Sequence, residues 1–174
     1  MLKETKIKIL FLTGLILSFL LEGTLMNVFS QELASTFPMV PYLTITWLIF
    51  FVLFTNKQQQ ERLYLWTFLV GIVYDTYYIG VIGIYMFIFP IIILITKIIL
   101  DYLDENIMTS IMIYLIDIII LLLLGCFGGR LSHLVYFSGI HFIAYAFGPT
   151  LLLNLIIFLV LYFPLSLLFD KYRQ

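Results

Sequence analysis

LVGIVYDTYYIGVIGIY, residues 69–85, organises the reading of the whole chain around one carboxylate. Asp75 stands inside an apolar run, with Gly71 before it and Gly80 and Gly83 after it. On insertion scales an unpaired charge in hydrocarbon costs about 2.5–3.5 kcal/mol. Such a residue persists where a partner, a cavity or a neutral protonation state relieves that cost. The glycines supply a route to relief. Gly71 leaves room for another backbone on the face one turn below Asp75, and Gly80 and Gly83 let the chain turn back sharply just past it. The rest of the sequence must provide what Asp75 packs against.

Working outward, the chain is apolar nearly throughout. Apolar side chains make up 63% of its 174 residues and charged ones 11%, with a mean hydropathy of +1.14; a soluble domain carries about 25% charge. The class is therefore a polytopic membrane protein, all-α, with room for about six spans of roughly 20 residues. Apolar runs place them at about 7–29, 40–55, 63–79, 84–100, 107–124 and 149–169, as a six-transmembrane-helix bundle in a single integral membrane domain over 1–174. The first run is too long for a signal-peptide core and no cleavage pattern follows it, so an uncleaved span is expected. Residues 125–148, rich in glycine and aromatics, read as a chain reversal at Gly125, Gly128 and Gly129 followed by an interfacial segment at headgroup level.

Charge sets the orientation. With the N-terminus in the cytoplasm, Lys3, Lys6, Lys8, Lys57, Arg62, Lys97, Lys171 and Arg173 fall inside, and Arg130 alone falls outside. Both termini are then cytoplasmic and the number of crossings is even. No internal repeat of the kind that builds many secondary transporters is visible.

Three acids lie within spans: Glu22, Asp75 and Asp117. At about 1.5 Å of rise per residue, Asp117 comes about halfway across, and Glu22 and Asp75 lie towards the outer leaflet. They read either as a polar patch that binds or docks a partner or as protonated acids hydrogen-bonded between helices. Two intramembrane aspartates raise the chemistry of paired carboxylates that activate water. Tyr74-Asp75 matches half of the pattern of presenilin-like proteases, but Asp117 lacks the Gly-x-Gly-Asp half. No enzyme is expected. His133 and His141 are eight apart, without the spacing of two ligands on one helical face, and Cys126 is the single cysteine; neither a metal nor a cofactor is expected, nor any nucleic acid. Gly14 and Ser18 form a small-residue face on the first span. The aromatic residues, Trp47 and Trp66 among them, are expected to set bilayer depth and fill the bundle.

With these residues in view, the sequence resembles the rod shape-determining MreD family. The likeness is carried by Gly71, Asp75, Gly80 and Gly83 in the opening stretch, and by Pro149-Thr-Leu-Leu-Leu-Asn154 with Tyr162-Phe163-Pro164 near the end. Val81 and Ile82 stand where the family often has Pro and Leu. The resemblance implies a non-catalytic membrane subunit of the bacterial elongation machinery in the cytoplasmic membrane. It also implies MreC as partner, alongside MreB, RodA, a class B penicillin-binding transpeptidase and membrane lipid. It implies as well a fold similar to the S components of energy-coupling-factor transporters, and hence an alternative: a small-molecule (vitamin) binding S component. The residues marked as partner-binding or structural are Gly71, Asp75, Gly80, Gly83, Pro149, Asn154 and Pro164.

Overall fold

The computed structural model describes residues 2–33, 38–60, 62–103, 106–133 and 143–173. These form helices and turns without a strand. The helices are α1 (Leu2–Val28), α2 (Leu43–Phe54), α3 (Leu63–Tyr74), α4 (Tyr85–Tyr102), α5 (Ile107–Leu131) and α6 (Gly148–Arg173). Among the described residues, four segments are long and apolar enough to cross a bilayer: Thr5–Val28, Tyr85–Tyr102, Ile107–Leu131 and Tyr145–Lys171. The all-helical class is as expected. The chain divides into two compact units, one of residues 1–60 with 142–174 and one of residues 61–141.

The first unit is built around α2. Ten of the twelve residues of α2 are buried, so α2 is a core element with almost no lipid-facing side. A run of Ile, Leu, Phe and Trp without one charge permits burial on every face. Phe50 stacks on Phe158 of α6 with centroids 4.7 Å apart, and Trp47 lies 5.7 Å from Phe169. On the other side α1 offers Gly14. A Cβ at Gly14 would lie 2.0 Å from the indole of Trp47, so the glycine is the slot into which that ring fits. Trp47 Nε1 donates to the Phe11 carbonyl at 3.1 Å. Trp47 is thus an interior packing residue, whereas the sequence had it also as a marker of bilayer depth. Both ends of α2 are capped from within the unit. Gln60 Nε2 donates to the carbonyls of Val52 and Thr55 at 3.0 and 2.9 Å at the C-terminal end, and Glu22 of α1 serves the N-terminal end.

In the second unit α3 packs on α4, and α4 on α5. Their buried faces carry Leu63, Phe89, Ile92, Ile93, Ile113, Ile118 and Leu121. Near the far end of α4, the Lys97 ammonium sits 4.4 Å from the centroid of the Tyr64 ring on α3, a cation–π contact that gives the charge a partner beside apolar surface.

Two boundaries differ from expectation. Helix α5 runs unbroken through Gly125, Gly128 and Gly129 to Leu131, so these glycines are helical and form no chain reversal. The helix ends where His133 takes a left-handed conformation (φ 56) and its N–H reaches the Arg130 carbonyl at 3.0 Å. Of the expected interfacial segment, residues 134–142, His141 included, lie outside the described residues; 143–147 form a wide π-helical turn leading into α6. Interhelical contact explains the first difference: inside a bilayer, glycine serves close approach between helices as readily as it breaks them.

A Gly14→Ala variant is expected to be less stable by about 2 kcal/mol, the usual scale of overpacking, because Trp47 must leave its slot. Thermal unfolding in detergent micelles, followed by tryptophan fluorescence, checks this. An unchanged midpoint would contradict the packing described.

Candidate functional site

At the end of α3 the chain does not stop at once. Residues Asp75–Ile79 form a π-helical turn, closed by the Gly80 N–H bonding to the Asp75 carbonyl at 2.7 Å. Gly80 (φ 78) and Gly83 (φ 124) take conformations that side-chain-bearing residues avoid. The reversal they make brings the first turn of α4 back over Asp75.

That carboxylate is fully buried and accepts four backbone hydrogen bonds. Its Oδ2 receives the N–H groups of Gly83, Ile84 and Met86 at 2.9, 3.0 and 3.2 Å, and its Oδ1 that of Tyr85 at 2.8 Å. The N–H groups of Phe87 and Ile88 turn to the Ile84 carbonyl. Every orphan donor at the start of α4 is accounted for. A negative group in this position also meets the positive end of the helix dipole. Asp75 is therefore the cap of α4, supplied from the neighbouring helix.

Close packing makes the bonds possible. A Cβ at Gly71 would lie 2.4 Å from Met86 Cα and 2.6 Å from the Tyr85 carbonyl oxygen. The backbone of α4 thus crosses α3 at a glycine, where no side chain fits. From the other side α5 contributes Gly128, whose Cβ would meet Ile84 Cγ2 at 2.9 Å, and Gly125, whose Cβ would stand 3.2 Å from the Tyr85 hydroxyl. Beneath, Tyr74, Tyr85 and Phe89 form an aromatic cluster with centroids 4.7 to 5.5 Å apart. Residues 83–86 are clasped on all these sides at once. Sequence reading singled out Gly71, Asp75, Gly80 and Gly83 but missed Gly125 and Gly128. Their three-residue spacing within an apolar run was the available signal.

The first unit holds a second set of buried polar groups. Glu22 Oε2 accepts the N–H and the hydroxyl of Thr44 at 2.8 and 2.7 Å, capping α2 as Asp75 caps α4. Residues 38–42, before α2, are not helical and need other partners for their backbone. Asn154 of α6 provides them: its Oδ1 accepts the Tyr42 N–H at 2.8 Å, and its Nδ2 donates to the carbonyls of Val40 and Thr150 at 2.7 and 2.8 Å. Thr150 adds a bond to the Pro38 carbonyl at 3.3 Å. Pro149 and Pro164 both lie on α6. The seven marked residues thus fall into two groups, four in the clasp and three on α6. Among the described residues no cluster of His, Cys, Asp and Glu could hold a metal ion.

Three substitutions rank the parts of the clasp. Gly71→Ala is expected to cost about 3 kcal/mol, the upper range for overpacking, because the obstacle is backbone. Asp75→Asn keeps the volume but turns an amide towards N–H groups that need an acceptor, at about 3 kcal/mol. Gly80→Ala meets no neighbour and should cost only the left-handed strain of about 1–2 kcal/mol. Denaturation in mixed micelles checks the order, and Gly80→Ala proving the worst of the three would refute it.

No curated protein sequence and no solved structure matches the chain, so the expected likeness to transporter S components finds no support there, nor does the vitamin-binding alternative. A family model does match: that of the rod shape-determining protein MreD, over residues 6–172. A match across nearly the whole length, on a chain whose described residues include four helices long and apolar enough to cross a bilayer, makes this a membrane protein belonging to the MreD family of rod shape-determining proteins.

Proposed function

We propose that the protein is a non-catalytic, multi-pass subunit of the elongation machinery in the bacterial cytoplasmic membrane, and that the outer end of its second unit docks MreC. MreB, RodA and a class B penicillin-binding transpeptidase belong to the same assembly in this reading, which the family match supports as a whole. The observation that carries the docking site is the clasp. Asp75 fixes the start of α4, and the π-helical turn beside it leaves Tyr77 and Ile82 exposed, at 68% and 59%. An aromatic and an aliphatic side chain on a rigid turn suit close contact with a partner helix, where packing and polar contacts drive association because lipid removes the hydrophobic drive. The buried acid of the site accepts four backbone donors, which supports a structural rather than a catalytic part for it.

The chain crosses the membrane six times in this reading, as one membrane domain with both termini in the cytoplasm. Besides the four long helices, α3 with its π-helical turn gives 17 continuous helical residues, about 25 Å at 1.5 Å each. Helix α2 reaches only about 18 Å. The five residues 38–42 add up to roughly 17 Å, and their backbone partners on α6 allow them to lie at membrane depth.

Two experiments test the proposal. In a Cys126→Ser background, a cysteine at Gln58 should react only with permeant thiol reagents and one at Ser132 with impermeant reagents from outside. The opposite pattern, or equal labelling, would refute the topology. For docking, MreC co-expressed with the wild-type protein should co-purify with it. Gly71→Leu and Asp75→Leu, checked for normal insertion, should lower recovery at least about tenfold, or ~1.4 kcal/mol. Tyr77→Ala probes the surface without touching the clasp and should weaken capture as well. Full recovery of MreC with all three variants would overturn the assignment.

A further inference from the structure

Asp117 is the acid that neither the clasp nor the capping of α2 uses. It is fully buried on α5. Its Oδ1 is the buried side-chain polar atom left without a hydrogen-bond partner among the described residues. Its Oδ2 stands 2.6 Å from the hydroxyl oxygen of Thr96 on α4. Within one helical turn of the pair, on α4 and α5, stand Ile92, Ile93, Ile113, Ile118 and Leu121, all nearly or fully buried.

The Thr96 hydroxyl settles the matter by counting protons. Its oxygen is also 2.9 Å from the Ile92 carbonyl, one turn back on α4. A hydroxyl has one proton to give. A carboxylate at Asp117 and the Ile92 carbonyl would both demand it, and one of two close oxygen pairs would be left without hydrogen. If the acid carries the proton, both pairs are satisfied: Asp117 gives its proton to Thr96, and Thr96 gives its own to Ile92. The bare Oδ1 is then the carbonyl oxygen of a neutral acid, a far smaller burden in hydrocarbon than part of an unpaired charge. Asp75 and Glu22 make the contrast, since each accepts hydrogen bonds from backbone N–H groups, which can only donate and so are satisfied by a carboxylate.

We infer that Asp117 is a proton-holding site, a neutral carboxylic acid that donates to Thr96 and so joins α4 to α5 through a directed chain from acid to hydroxyl to main-chain carbonyl. The assignment is independent of the docking proposal. It concerns two helices of one unit and involves no exposed surface.

Infrared spectroscopy of the full-length protein in phosphatidylcholine–phosphatidylglycerol vesicles tests it, with aspartate labelled by carbon-13. A carboxylic acid C=O band, shifted by the label, is expected at about neutral pH in the wild type, and it should vanish in Asp117→Asn. In Thr96→Val the acid loses its acceptor, so the band should persist and move to higher frequency. A wild type showing carboxylate bands alone would overturn the inference without recourse to any variant. So would a band that survives Asp117→Asn, or one that Thr96→Val leaves in place. Melting of Asp117→Asn gives a second readout, because its amide can donate to Thr96 in the acid's stead. Its midpoint should stay near that of the wild type, while Asp117→Leu, which leaves Thr96 without that donor, should fall clearly below it.

Discussion

A carboxylate and four main-chain N–H groups, brought together where water is scarce, hold the second unit in register. Each side is untenable alone. An uncompensated carboxylate would bear the penalty of charge in hydrocarbon, and four unpaired N–H groups would each cost about 1–3 kcal/mol. Together they satisfy one another, with the dipole of an 18-residue helix adding to the attraction. Desolvation takes back much of the gross energy, so such an arrangement adds less to net stability than its four bonds suggest. Its main effect is geometric. This placement of α4 against α3 leaves both partners paired, and Gly71 is the condition that lets them meet.

The same constraint explains the first unit. In water the ends of a helix are solvated; in a bilayer each free N–H or carbonyl must find a protein partner. Helix α2 is too short to bring both ends to the membrane surface, so it is capped from within the unit: by Glu22 through Thr44 at one end, and by Gln60 at the other. The non-helical residues before it are held by Asn154 for the same reason. Glu22, Asn154 and Asp75 are therefore one kind of residue, a long-range cap, whatever else they do. The default reading of intramembrane polar groups as functional must allow for that structural duty.

What the sequence disclosed, and what it hid, follows from range. The opening stretch was legible because its signals are local: an acid that needs relief, a glycine one turn away, two glycines that permit a reversal. The identity of the relief was not legible. Asp75 is answered by backbone, and backbone donors leave no trace in composition. Trp47 suffered from the opposite problem, since a membrane tryptophan is commonly an interfacial anchor. Only contact with Gly14, thirty-odd positions earlier, shows it as a core residue. Gly125, Gly128 and Gly129 were misread because two physical meanings of glycine, freedom of backbone and absence of a side chain, look alike in a string of letters. In the case of Asn154, family likeness drew attention to the residue, and only the fold supplied its partners.

Separating those two meanings shows where the second unit is firm. Gly80 and Gly83 are conformational glycines: they have positive φ and nothing near their absent side chains. Gly71, Gly125 and Gly128 are steric glycines, and all three face the same short segment of α4, residues 84–86. A segment fixed by backbone contact on one flank, glycine-backed contact on another and a buried carboxylate has few alternative packings. The exposed turn next to it inherits that rigidity through the bond from Gly80 to Asp75. A partner docked on Tyr77 and Ile82, as proposed, would meet a surface already ordered, and less conformational freedom would be lost on binding than against a mobile loop. If that proposal holds, the glycines would serve recognition from a distance, by holding still the turn they support.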